Sequence, residues 1–192
     1  MVRRRLIIVW LGVLLCFGSL PHARAAEPDE RQRAARIDAL FAELQTTKDA
    51  ARGQAATAEI WQLWMQSGRA EIDALTGQAV AFMSVGALQA ARDILDKVVA
   101  LAPDYAEGWN KRATVLFMLD EHALSSADID KVLAIEPRHF GALAGQGLIH
   151  IAAERWKEAL AFMHRATAIN PFLAERDTLI PALERKVEGV PL

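Results

Sequence analysis

Apolar residues recur along most of this chain at spacings of three and four. Leu75, Ala79 and Phe82 form one such series and Ala91, Leu95 and Val98 the next. A spacing of three and four puts side chains on one face of a helix, so each series predicts an amphipathic helix with a buried stripe. The same two-part pattern returns further along. Trp109, Ala113 and Leu116 precede Ser125, Ile129 and Val132; Leu143 and Gly147 precede Ala159, Met163 and Ala166. Short polar or glycine-containing stretches separate the two halves each time, at Val85-Gly86-Ala87, Leu119-Asp120-Glu121 and Ala153-Glu154-Arg155. The chain therefore predicts helix–turn–helix units.

The units share a register. Pro103, Pro137 and Pro171 stand 34 residues apart, as do Leu75, Trp109 and Leu143 in a bulky column and Ala79, Ala113 and Gly147 in a small one. A second small column holds Ala91, Ser125 and Ala159, followed by bulky Leu95, Ile129 and Met163. Small residues belong where paired helices cross, because a larger side chain there would hold the axes apart. We expect each proline to end one unit and open the next helix, where its missing N–H is not needed.

With its 34-residue period, Trp109, Ala113 and Leu116 in the middle unit, and Leu143, Gly147, Ala159 and Pro171 in the third, the sequence resembles the tetratricopeptide repeat (TPR) family. His150 stands in place of the usual aromatic, and Arg112 and Gln146 in place of the usual leucine. The resemblance implies an all-α fold, a right-handed α-solenoid of helix–turn–helix hairpins, with repeats at 72–105, 106–139 and 140–173. Upstream, Ile37, Leu40, Phe41 and Leu44 fit one helix and Ile60, Leu63 and Trp64 another, with a break at Thr46-Thr47-Lys48-Asp49. Trp61 and Trp64 keep the register, but Gln45 occupies a small-residue place and Arg69 the proline's. Residues 26–71 are thus expected to be a degenerate hairpin capping the N-terminal end. Residues 174–192, with Leu179, Ile180 and Leu183 among charges, are expected to be a C-terminal capping helix and tail.

The first residues read differently. Arg3, Arg4 and Arg5 precede an uncharged run from Leu6 to Leu20, then Pro21 and the small residues Ala23 and Ala25 around Arg24. These are the parts of a secretory signal, so 1–25 is expected to be a signal peptide cleaved after Ala25. The alternative is an inner-membrane anchor, although at 1.5 Å per residue the run reaches only about 22 Å of a roughly 30 Å hydrocarbon core. Cleavage would take four arginines (Arg3, Arg4, Arg5 and Arg24) and no acid from 22 basic and 24 acidic residues, leaving a mature charge of −6. That balance gives no support for nucleic-acid binding. It also removes Cys16, the single cysteine. The expected location is the periplasm of a Gram-negative bacterium.

Candidate chemistry is sparse. His122, His139, His150 and His164 form no zinc spacing, and His150 in an aromatic column predicts a packed side chain. Asp120, Glu121, Asp128 and Asp130 read as a solvated face. Gly141, Gly145 and Gly147 lie within a helical pattern and lack the strand that precedes a phosphate loop. Trp61, Trp64, Trp109 and Trp156 sit at core spacing. We therefore expect no catalytic residue, metal or cofactor.

The resemblance implies a concave groove lined by the first helix of each unit. Its lining positions here are Asp73, Thr76, Val80, Met83 and Ser84, then Glu107, Asn110, Thr114, Phe117 and Met118, then Gly141, Ala144, Leu148, Ile151 and Ala152. Within them the partner-binding set is Val80, Met83, Asn110, Thr114, Phe117, Leu148 and Ile151. Only Asn110 matches the basic and amide side chains with which some family members hold a peptide carboxylate. The expected function is a non-catalytic scaffold or adaptor of the bacterial envelope that binds a protein or peptide partner. A self-associating array, with a homodimer left open, and a membrane-tethered assembly factor are the alternatives.

Overall fold

The computed structural model describes residues 28–189 of the 192. The expectations for the signal and its cleavage site fall outside the described residues. Among those described there are nine helices and no strand: α1 Pro28–Thr46, α2 Ala50–Trp64, α3 Ala70–Ser84, α4 Leu88–Leu101, α5 Ala106–Met118, α6 His122–Ile135, α7 Phe140–Ala152, α8 Trp156–Ile169 and α9 Glu175–Val187. Helices α3 and α4, α5 and α6, and α7 and α8 pair, each second helix also meets the next first helix, and α5 adjoins both α3 and α7.

Each pair is closed by one kind of turn. Gly86, Asp120 and Glu154 occupy the same register position with φ of 73°, 60° and 55°. The N–H groups of Ala87, Glu121 and Arg155 reach back to the carbonyls of Phe82, Leu116 and His150, at 2.9 Å in each case. A left-handed residue followed by this six-to-one bond satisfies carbonyls that the end of a helix leaves free. The small columns fill the crossings behind these turns. Ala79, Ala91, Ala113, Ser125 and Ala159 are all buried, and Ser125 Oγ donates to the Ala113 carbonyl at 2.7 Å.

The prolines do not open helices. Pro103, Pro137 and Pro171 each hold the second place of a four-residue turn, closed by the N–H of Tyr105, His139 and Leu173 to the carbonyls of Ala102, Glu136 and Asn170. Proline's fixed φ suits that turn position, and α5 begins only at Ala106, three residues past Pro103.

The N-terminal hairpin does not cap the array in the expected way. The cluster formed by Ile37, Leu40, Phe41, Leu44, Ala56, Ile60 and Trp64 continues into Phe140, Ile169, Phe172 and Leu173, and holds no member of α3 or α4. The hairpin lies across the start of α7, the end of α8 and the link that follows. The reason is side-chain fit. Trp61 covers Gly141 and Phe172 fills the space over Gly53, places where any Cβ would collide with a ring. At the other end, Ile180 and Leu183 of α9 are buried against Leu143, Ala159 and Met163.

Candidate functional site: a half-covered concave face

Two registers of the concave face differ sharply. Toward the ends of the first helices, Val80 and Leu148 are 36% and 37% exposed, and Thr114, between them in the same column, is also exposed. Met83, Phe117 and Ile151, three residues further on, are half-buried. Phe117 stacks on His122 with centroids 5.0 Å apart. Met118 is exposed nearby. The structure thus places Val80, Met83, Thr114, Phe117, Leu148 and Ile151 in two parallel rows across three stacked units.

Asn110 does not belong with them. It is buried, and its amide donates to Glu107 Oε2 at 3.1 Å, so it is not presented to a partner. Thr76, Glu107 and Ala144, expected as lining, are buried as well.

The starts of the first helices form a closed polar centre instead. Glu107 and His139 have no exposed side-chain surface, and Glu107 Oε2 lies 3.0 Å from His139 Nε2. His139 is held by the Glu136–His139 turn, and its Nδ1 accepts the Ala142 N–H at 3.0 Å, capping α7. That bond assigns the ring proton to Nε2, which donates to Glu107. Lys111 Nζ stands 2.7 Å from Glu107 Oε1 and 5.5 Å from the Trp61 ring centroid. Burial pushes the Glu107 carboxyl up, but the His139 hydrogen bond and the Lys111 charge outweigh it and leave the group below the usual carboxylate range. Trp64 covers His139, its ring stacked at 4.1 Å and 9°. The charged groups are paired with one another under a tryptophan lid whose own Nε1 is buried without a hydrogen-bond partner, and the arrangement secures structure.

Two further sequence candidates are also structural, whereas Asp120 and Asp130 are exposed as expected of a solvated face. Asp128, expected on a solvated face, is buried and receives both Arg112 Nε and Nη2 at 2.7 Å. Arg112 reaches Asp96 too and lies over Trp109, which explains why an arginine stands in a leucine column. His150 stacks on Phe162; burial first, then Arg155, hold its imidazole below its ordinary value. Among the described residues no group of three or more His, Cys, Asp or Glu could hold a metal ion.

Sequence reasoning missed the Glu107–His139 pair and the covering of the face by α2. One signal was present: the lining column that holds Asp73 and Glu107 has Gly141 in the third unit, and a missing side chain in a lining column marks a close approach.

Antiparallel helix pairs stacked so that their first helices share a concave side define a helical-repeat solenoid with a groove. Its particular kind emerges from comparison with solved structures. The fold is similar to the first TPR of Spaghetti (RPAP3) bound to an HSP90 peptide, with 18% identity, 61% of this chain and 93% of that one covered, and a TM-score of 0.58. It is similar to the Sgt2 TPR domain from Aspergillus fumigatus, with 19% identity, 62% and 81% coverage and a TM-score of 0.59. MamA from Desulfovibrio magneticus RS-1 matches over 82% of this chain and 86% of its own, at 16% identity and a TM-score of 0.55. A TPR repeat-containing protein of Rhizobium etli is 43% identical over 114 residues, which is 59% of this chain. The match spans 56% of that relative's length. No protein-family model matches the chain. The fold is that of a TPR solenoid.

Proposed function

We propose that the protein is a non-catalytic scaffold or adaptor that holds a partner protein or peptide on its concave face. The observation that carries this reading is the column Val80, Thr114 and Leu148, exposed across three consecutive units and backed by Met83, Phe117 and Ile151. A folded chain gains nothing by leaving such a strip in water, and regular stacking makes it continuous enough to grip apolar side chains of a segment laid across it. The RPAP3 domain, solved bound to an HSP90 peptide, supports a peptide or protein as the class of ligand.

The proposed setting is the envelope of a Gram-negative bacterium, with the chain exported by residues 1–25. Arg3, Arg4 and Arg5 before the apolar run support this. No described helix is long and apolar enough to cross a membrane. A photo-crosslinking residue placed at Leu148 should trap the partner in native envelope extracts. The same residue at Leu124, which is 50% exposed on α6, should not. Equal trapping at both positions would overturn the assignment of the face.

A further inference from the structure

We propose that the α1–α2 hairpin is a releasable clasp, which covers the lower end of the concave face and leaves it as one body without disturbing the array; this rests on the reading of that face as the binding site. The first support is how the apolar residues divide. The four clusters that hold α3 to α9 together contain no residue of α1 or α2. The hairpin carries its own contacts, with Ile37, Leu40 and Leu44 against Ala56 and Ile60. Two ion pairs reinforce it internally, Arg36 with Glu59 at 2.6 Å and Arg52 with Glu43 at 3.0 Å.

The joint between the two bodies has a different composition. It is aromatic at its centre, where Trp61 and Trp64 meet His139 and Phe140. Around it the joint is polar, with one sheltered bond from Asn170 Nδ2 to Thr57 at 2.9 Å and exposed ones from Arg138 Nη1 to Asp38 at 2.7 Å and from Gln45 Nε2 to the carbonyls of Ala168 and Ile169 at 3.1 and 2.8 Å. Exposed bonds of this kind exchange readily for water, so they guide docking while adding little to its strength.

The tether is short and bent. Residues 65–69 join α2 to α3, with Gly68 at φ 77°. Beside this link a cleft of about 880 Å³, lined by Ile37, Leu63, Trp64, Tyr105 and Glu107 among others, separates the hairpin from the first two units. The hairpin is therefore held where the second unit meets the third, at Arg138, His139 and Phe140, and its apolar cluster takes in no residue of α3 or α4. A body with its own contacts, a polar-rimmed joint and one glycine-containing tether is built to open locally before the whole chain unfolds. Opening uncovers Phe140, Ile169, Phe172 and Gly141, which extends the apolar column toward the starts of the first helices. A partner that reaches this lower region has to displace the hairpin.

The test is amide hydrogen exchange on the full chain with two variants. Gly141→Leu puts a side chain where Trp61 sits, from the array side; Trp61→Ala removes the ring, from the hairpin side. In both, exchange in α1 and α2 is expected to rise together, by roughly tenfold or more, while α3 to α8 keep their wild-type protection. X-ray scattering should show a larger radius of gyration. Loss of protection throughout α3 to α8 in the Trp61→Ala protein would overturn the proposal, because the hairpin would then be part of one cooperative core. Unchanged exchange in α1 and α2 in both variants would overturn it equally. Neither readout involves a partner, so failure of crosslinking at Leu148 would count against the binding face alone.

Discussion

Glu107 is the charge on which the centre of the molecule turns. Removing its carboxylate leaves the buried His139 Nε2–H without its acceptor and takes the ion-pair partner from Lys111, which is itself partly exposed. Breaking a buried pair from one side typically costs about 3–5 kcal/mol, and Glu107→Ala is expected to lose that much in urea unfolding at pH 7. The pH dependence has a definite sign. A carboxyl held below its unfolded value binds its proton less readily when folded. Its contribution is therefore complete above the unfolded value of about 4.3 and drains away as the pH falls below it. Wild-type stability should decline in that acid range more steeply than that of Glu107→Gln, and unfolding curves between neutral and acid pH measure the difference. Nothing at Glu107 itself announces this role, since a glutamate early in a helix is ordinary. His139, one register position before the next helix, is equally plain in sequence. Their meeting depends on two successive units stacking, and that stacking has no signature at either residue alone.

At the level of helices and turns, the alternation of bulky and small columns translates directly into geometry. Ala159 is fully buried where α8 crosses α7, so Ala159→Leu should overpack the crossing and cost about 1–3 kcal/mol, read from the thermal midpoint. The turns invite the opposite experiment. Glu154 adopts φ 55° where the first unit has Gly86 at φ 73°, and a left-handed glutamate is strained in a way that glycine is not. Glu154→Gly is expected to raise stability by about 0.5–1 kcal/mol, the strain relieved exceeding the entropy that glycine adds to the unfolded chain. Positions that break the repeat pattern proved the hardest to interpret from sequence. Gln45, in a small-residue place, donates to the last carbonyls of α8. Arg69, in a proline place, donates to the Leu101 carbonyl at the end of α4. Both satisfy helix ends far away in sequence, so each departure from the period marks a contact that the period cannot encode.

For the whole molecule, the array of three units was legible because 34-residue periodicity is a property of neighbours, and each unit touches chiefly the next. The placement of the hairpin was not, because its partners lie far along the chain, 75 residues away at His139 for Trp64, 100 at Arg138 for Asp38 and 113 at Asn170 for Thr57. The exposed column was legible in part. Its apolar rows follow from the register, whereas the burial of Asn110 depends on Glu107 and could not be inferred from spacing. One consequence is a division of labour that mutation should reveal. Leu148→Asp alters the open column without touching the joint, and is expected to weaken partner binding by roughly tenfold or more. Its unfolding free energy should stay within about 0.5 kcal/mol of wild type, as for other exposed positions. Titration against the crosslinked partner, once isolated, checks the first figure and calorimetry the second.

The bond from Gln45 to Ile169 spans 124 residues, and that span also has a duration. At roughly 5–20 residues per second of synthesis, the stretch between them takes about 6–25 s to make. Once Trp64 has been added, 19 residues after Gln45, Phe41, Trp61 and Trp64 are all present, while Phe140 and Phe172, the surfaces that cover them, have not both been made. The most aromatic part of the molecule is therefore the part that waits longest for shelter, and a newborn chain spends that wait with its stickiest face turned outward.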